Sequence, residues 1–520
     1  MKYRSTRGKA SGQGFESVVL EGLASDGGLY IPERLPSLPA DWQTAWAQLS
    51  FPQLATEIIS LFVGDDMTHT EVEKLVTKSY STFDTAQVTP LVDLDKATST
   101  HILELFHGPT FAFKDVALQF LGNLFEFFLE RRNAQKADGE ATHRITVVGA
   151  TSGDTGSAAI YGLRGKKNVS VFILHPKGRV SPIQEAQMTT VLDDNVHNVS
   201  LTGTFDDCQD IVKELFGRPA FKKDHSLGAI NSINWARILA QITYYFYAYF
   251  TLVRQGVKDP KPVFVVPSGN FGDILAGYYA QSLGLPVGKL AIATNGNDIL
   301  DRFLRSGKYE KNSDGDVLAT PSPAMDILVS SNFERFLWYL ALNNEVSENA
   351  ASGSQASPEQ AACEIIQNWM DQLKLKGSFA VSDKALQAAR QIFWSGRCSD
   401  EDTYETIAKY YAKDNGASYL LDPHTAVGVY VAETLRADID KLSGGNNNVH
   451  TICLSTAHPA KFSEAVLKAV NERGHHLDFQ SILPPPFVGL LEKPKRCVEC
   501  KNSADAVAKI IVNQAALDSK

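Results

Sequence analysis

The sequence predicts an open α/β architecture, in which parallel strands alternate with crossover helices behind a distinct N-terminal segment. Short apolar runs at 145–150 (ITVVGA), 169–174, 262–267 (PVFVVP), 290–294 and 449–454 (VHTICL) alternate with helix-like stretches. That alternation is the pattern of βαβ units and a parallel sheet. Three of the runs feed straight into turns of small polar residues, at 151–156, 268–272 and 455–459, and a helical pattern follows each. Residues 1 to about 92 have no such turn and read as scaffold, with turn formers around Leu29 and Ile31 and helical patterns at 51–62 and 71–80. The expected division is 1–92, 93–255 and 256–520. The aromatic run 235–252 reads as a buried helix, and the Ser- and Ala-rich stretch 346–358 as a solvated loop.

Composition narrows the function classes. The 520 residues are 44% hydrophobic and 21% charged, enough for several domains around a real core. A net charge of -9 argues against nucleic acid or an anionic membrane as the main partner. No apolar run is long enough to span a bilayer, and the basic residues 1–9 lead into no apolar signal core. Six scattered cysteines are no disulfide framework and suit a reducing cytoplasm. Cys497 and Cys500 form one C-x-x-C without the two further ligands that a zinc site needs, so no metal is expected.

The stretch 107–115 (HGPTFAFKD) holds one lysine, Lys114, between Phe111, Ala112, Phe113 and Val116, Ala117, Leu118. Burial disfavours an ammonium, so such a lysine loses its proton near neutral pH and becomes available to bond a carbonyl; on this stretch alone an incidental lysine at a helix start is the default reading, which the Gly-rich turns elsewhere in the chain reverse. The turn 268–272 (SGNFG) can cradle a phosphate on its backbone N–H groups at a helix start. It is also compatible with a purely structural turn, and it is neither a Walker loop nor G-x-G-x-x-G. Thr151, Ser152 and Thr155 offer hydroxyls that suit an amino-acid carboxylate, and Asp154 or Thr155 equally suits a helix N-cap. Asn231, Ser232 and Arg237 place amide, hydroxyl and guanidinium groups at one helix start, where they could grip an anion; standing alone, the motif reads by default as an N-capped helix with a surface arginine. The stretch 177–181 (KGRVS) is a second basic candidate, read equally well as a solvated loop.

Together these pieces resemble the threonine synthase family, in the longer form found in fungi and many bacteria. The match runs through 3–8 (YRSTRG), 22–33 (GLASDGGLYIPE), 106–115, 150–156, 231–234, 267–273, 322–335 (SPAMDILVSSNFER) and 454–462 (LSTAHPAKF). The resemblance implies fold type II, the tryptophan-synthase-β-like fold, with two open α/β lobes around pyridoxal 5'-phosphate. It implies O-phospho-L-homoserine as substrate and L-threonine and phosphate as products, in the cytoplasm. By the same resemblance, Lys114 is the Schiff-base lysine, and Gly269, Asn270, Phe271 and Gly272 hold the cofactor phosphate. Thr456, with Ser455 as the second choice, faces the pyridine nitrogen. Thr151, Ser152 and Thr155 take the substrate carboxylate, and Asn231, Ser232 and Arg237 its phosphate. Asp154 stands where many relatives have an asparagine beside the cofactor 3'-oxygen, a place where a carboxylate would meet like charge. The alternative reaction on the same fold is elimination to a keto acid by a serine/threonine dehydratase or phospholyase; a plain dehydratase has no need of Arg237 and Ser232 as phosphate ligands. Oligomeric state stays open.

Overall fold

The computed structural model describes residues 1–228, 230–312, 316–346, 357–412 and 418–517; most of the loop expected at 346–358 lies outside the described residues. Two parallel sheets organise the chain. The larger has six strands in the order Phe393–Arg397, Lys289–Thr294, Val263–Pro267, Thr451–Ser455, Thr100–Glu104, Leu91–Asp95. All its pairs are parallel except the last. The smaller has five parallel strands in the order Val498–Cys500, Val196–Leu201, Val169–Pro176, Ile145–Ala150, Leu227–Gly228. Val263–Pro267 and Thr451–Ser455 are buried along their whole length. This is why they read as unbroken apolar runs: a parallel strand covered on both faces has no polar side to show.

Sheet membership does not follow the division at 92 and 255. Leu91–Asp95 and Thr100–Glu104 belong to the larger sheet, although most of this hairpin precedes the smaller sheet inside the 93–255 stretch. Val498–Cys500 returns from the far C-terminal part to the edge of the smaller sheet beside Val196–Leu201. Strand pairing is decided by edge availability, which local composition does not report.

Two helices meet without side chains between them. A Cβ on Gly122, in the helix Lys114–Gln135, would lie 1.9 Å from the carbonyl oxygen of Gly162, in the helix Asp154–Leu163. A Cβ on Gly162 would lie 2.5 Å from the Leu118 carbonyl oxygen. Only hydrogen at both positions allows this approach, and it brings the N-termini of the two helices, Lys114 and Asp154, together.

The N-terminal segment shares the main core. Its helices Phe51–Val63 and His69–Tyr80 start at Ser50–Gln53 and Thr68–Glu71 capping boxes. Trp42 packs edge-on against Phe246 and Phe250, Phe51 against Tyr247, and Tyr3 lies against Trp235. These partners all lie on the helix Trp235–Arg254, whose aromatic rings are buried core. Around Leu29 and Ile31 the turn formers enclose a strand, Tyr30–Pro32, paired antiparallel with Tyr3–Ser5. Arg335, fully buried, ties this segment to the rest. It donates to the carbonyls of Tyr30 at 2.8 Å and Ile233 at 2.7 Å, and to Asn332 Oδ1 at 2.5 Å.

Gly122→Ala is expected to cost about 1–3 kcal/mol through overpacking, read as a lower urea midpoint. Gly149→Ala is the control, because its Cβ would meet only Ile173 Cδ1 at 3.6 Å. Arg335→Met is expected to cost about 1–3 kcal/mol for each carbonyl left unpaired, and to make the 1–92 segment the first region cut in limited proteolysis.

Candidate active site

The loops at the C-terminal ends of the larger sheet's central strands build the site, the usual place in open α/β sheets. The segments after Thr100–Glu104 and Thr451–Ser455 are stitched together. Leu105 N donates to Ser455 O at 3.0 Å, Phe113 N to Thr456 O at 2.7 Å and His458 N to Phe111 O at 3.1 Å. Phe111 adopts φ 58°, and the turn through it delivers Lys114 to the first position of its helix, against Thr456.

Lys114 is buried, with Nζ 3.9 Å from Asp154 Oδ2 and 5.2 Å from the Phe113 ring centre. Burial pushes its pKa down to about 8, with help from the Lys461 and Arg237 charges and against the pull of Asp154 and Asp115. Asp154 Oδ1 is 2.8 Å from Lys461 Nζ and accepts from Gln184 Nε2 at 2.9 Å. Burial alone would raise this carboxyl; the Lys461 and Lys114 charges outweigh it and hold the group well below the usual range. Lys461 is thus the close counter-ion of Asp154. Asp115, the next residue, accepts from the Thr110 backbone N–H and hydroxyl, each at 2.8 Å, while burial moves it up to about 6.

The expected phosphate loop has the geometry of an anion cradle. Ser330 Oγ donates to Gly269 O at 2.6 Å, and Asn332 N to Asn270 O at 3.1 Å. The N–H groups of residues 269–272 find no acceptor among the described residues, and they open the helix Gly272–Leu283. A Cβ at Gly269 would come within 3.0 Å of Ala324 O, and Phe271 sits at φ 61° with its ring against Phe333 and Phe393. Asp273, in the first turn, accepts from Tyr244 at 2.5 Å and Tyr245 at 3.0 Å, and burial raises it to about 7. In its neutral form it leaves the helix start free of a fixed negative charge.

The two hydroxyls at 455–456 differ. Ser455 Oγ donates to Thr425 Oγ1 at 2.9 Å, and the Thr425 hydroxyl gives its own proton to Asp422, which also holds His424 at 2.9 Å. Thr456 Oγ1 is buried and has no partner among the described residues. An orphaned hydroxyl beside a buried lysine and a cradle of free N–H groups fits a flat heteroaromatic ring that carries a phosphate.

The remaining expected residues divide. Thr151 Oγ1 accepts from the N–H groups of Gly153 at 2.9 Å and Gly156 at 2.8 Å, so its oxygen holds its own turn. Ser152 is exposed and Thr155 half-buried. Asn231 is exposed and Ser232 half-buried, with the Ser232 carbonyl accepting from Asn332 Nδ2 at 3.1 Å. Asn234 Oδ1 caps the helix through Ala236 N at 3.1 Å. Arg237 is buried, donates to Ile230 O at 3.1 Å and leaves Nε without a partner among the described residues. The 177–181 stretch serves the fold: Lys177 pairs with Glu499 at 2.7 Å and Ser181 caps Pro182–Thr189. Sequence reasoning missed Lys461, Gln184, Asn332 and Asp273 as parts of the site. Lys461, Asn332 and Asp273 lie inside the motifs of the resemblance, but only tertiary contact gives them a partner.

Comparison with known proteins follows this geometry. Residues 2–80 match the family described as threonine synthase N terminus, 83–338 the pyridoxal-phosphate dependent enzyme family, and 425–511 the C-terminal family of threonine synthase. The threonine synthase of Schizosaccharomyces pombe is 53% identical, covering 98% of each chain. The crystal structure of threonine synthase from yeast is 50% identical, with TM-score 0.90 over 99% of each chain. The pyridoxal-phosphate-bound threonine synthase of Brucella melitensis is 40% identical, with TM-score 0.85 over 99% of each chain. With full-length identity of this order, and a site that accepts the cofactor, the chain belongs to the threonine synthase family of fold type II pyridoxal-phosphate enzymes.

Proposed function

We propose that this chain converts O-phospho-L-homoserine and water to L-threonine and inorganic phosphate, with Lys114 as the lysine that holds the cofactor. The observation that carries the reading is the buried Lys114 amine, on a segment hydrogen-bonded to the one that carries the unpartnered Thr456 hydroxyl, with the free N–H groups of 269–272 following the neighbouring strand of the same sheet. Bound pyridoxal phosphate supplies an electron sink for negative charge developing at the substrate α-carbon. The N–H groups of Gly269, Asn270, Phe271 and Gly272 hold its phosphate, and Thr456 meets its ring nitrogen. A hydroxyl there, unlike a carboxylate, does not force a proton onto that nitrogen.

The chain's own groups do the rest. Lys114 takes the proton from substrate Cα and returns it at the end. At pH 7 a lysine of pKa about 8 is about one-tenth free amine, against about one part in three thousand for an ordinary lysine. Thr155 and Ser152, with the Thr151 hydroxyl proton, position the substrate carboxylate. Arg237 Nε, with Asn231 and Ser232, binds the substrate phosphate and steadies it as it leaves Cγ; support comes from a guanidinium buried with one nitrogen unpartnered. Loss of a Cβ proton supplies the electron pair that expels phosphate from Cγ; a proton then returns to Cγ, and water adds its hydroxyl at Cβ, its other proton going to the released phosphate. Among the described residues no helix is long and apolar enough to cross a membrane, and we place the enzyme in the cytoplasm.

Purified protein with pyridoxal phosphate is expected to release phosphate and threonine in equal amounts from O-phospho-L-homoserine. Phosphate accompanied by 2-oxobutyrate would instead mark a phospholyase, and turnover of serine or threonine alone a dehydratase. Lys114→Ala is expected to lower the rate by about 10²–10⁴-fold and to abolish attachment of the cofactor after borohydride reduction. Arg237→Met is expected to raise KM about 10–100-fold, the loss of one charge-assisted contact. A KM unchanged from the parent would remove Arg237 from the phosphate site.

A further inference from the structure

Two buried ammonium groups compete for one carboxylate. Asp154 lies between Lys114 and Lys461, and the three groups come from three separate elements: the helices Lys114–Gln135 and Asp154–Leu163 and the turn Pro459–Phe462. The competition is uneven. Lys461, whose side chain is 0% exposed, has Nζ 2.8 Å from Asp154 Oδ1 and donates to Thr110 O at 2.8 Å. Lys114 Nζ is 3.9 Å from Oδ2, beyond a hydrogen bond. Gln184 Nε2 also donates to Oδ1, at 2.9 Å, and pins the carboxylate on the Lys461 side.

We propose that Lys461 is a positioning residue for Lys114: it takes Asp154 into a direct, hydrogen-bonded ion pair, and so leaves the Lys114 amine without a hydrogen-bonded counter-ion, free to bond a carbonyl and to exchange protons. This rests on the reading of Lys114 as the cofactor lysine. The direct contact of Lys461 is with Asp154, and its charge adds a repulsion at Lys114 in the same direction. A carboxylate in direct contact favours the ammonium form of a lysine, and an amine locked as ammonium can neither attack a carbonyl nor accept a proton.

The other charged groups leave this arrangement standing. Asp115, on the same helix as Lys114, is engaged by Thr110 and does not replace Asp154. Arg237, on the helix Trp235–Arg254, adds a second positive charge near Lys114. His424, on the helix Pro423–Thr434, adds its influence on Asp154. The lowered pKa of Lys114 agrees with this balance: burial dominates, Asp154 and Asp115 oppose it, and Lys461 and Arg237 reinforce it.

The test uses the full-length chain, cofactor-free and reconstituted. Reductive methylation of the cofactor-free protein, read at Lys114 by peptide mass, gives the pH of half-maximal labelling. That pH is expected near 8 in the parent. In Lys461→Met, where Asp154 is left to Lys114, it is expected about one pH unit or more higher. Lys461→Arg is expected to restore the parent midpoint, and Lys461→Met/Asp154→Asn to fall back to it or below. The pH midpoint of the bound cofactor's visible absorbance is expected to move in the same order. Equal midpoints in parent and Lys461→Met would overturn the proposal, as would a double variant that stays as high as Lys461→Met. If Lys461→Met does not fold, Lys461→Gln carries the same comparison. Borohydride reduction of the reconstituted parent tests Lys114 itself: cofactor mass missing from the Lys114 peptide would overturn that assignment, while the methylation midpoints still judge Lys461.

Discussion

The interaction on which the site depends is the ion pair of Asp154 with Lys461, set in the same buried space as Lys114. A buried ion costs several kcal/mol unless it is paired and hydrogen-bonded. Three such groups coexist here because Lys461 and Asp154 neutralise one another, Thr110 and Gln184 take further hydrogen bonds, and Lys114 sheds its proton with comparative ease. Removing any one of the three changes the charge state that the others can hold. The geometry therefore has to be rigid, and much of the surrounding fold bears on that requirement.

Rigidity begins with the backbone. The contact of Gly122 with Gly162 sets the spacing of the two helices that begin at Lys114 and Asp154. The stitching of 105–113 to 455–458 sets the third corner, because Lys461 follows two residues after the turn at Pro459. On the phosphate side, the 330–335 segment reaches three ways: Ser330 to Gly269, Asn332 to Asn270 and Ser232, and Arg335 to Ile233 and Tyr30. One short segment thus links the 269–272 loop, the 231–234 turn and the N-terminal segment. A catalytic constellation held by backbone contacts keeps its geometry without relying on long side chains.

The N-terminal segment contributes no side chain to the proposed catalytic set, yet it packs against both helices that carry Lys114 and Arg237. Ser79 and Tyr80 hydrogen-bond to the Lys114 helix through Gln119 O and Val116 O. The aromatic contacts to Phe246, Tyr247 and Phe250 hold the Arg237 helix. It acts as a buttress behind the site.

Local sequence determined a good deal of this protein. The strand runs, the polar turns after them, and the aromatic helix at 235–252 were all legible, because apolar periodicity and glycine content are written into consecutive residues. Lys114 stood out because apolar residues flank it in sequence, and one of them, Phe113, lies with its ring 5.2 Å from the amine. The tertiary structure alone decided the rest. It placed Lys461, more than three hundred residues from Asp154, as that carboxylate's counter-ion. It engaged the hydroxyl of Ser455 and left that of Thr456 free, and it committed the oxygen of Thr151 to its own turn. It returned the C-terminal strand Val498–Cys500 to the smaller sheet. Charge pairing and hydrogen-bond satisfaction depend on which distant groups arrive within a few ångströms, and no spacing along the chain reports that distance.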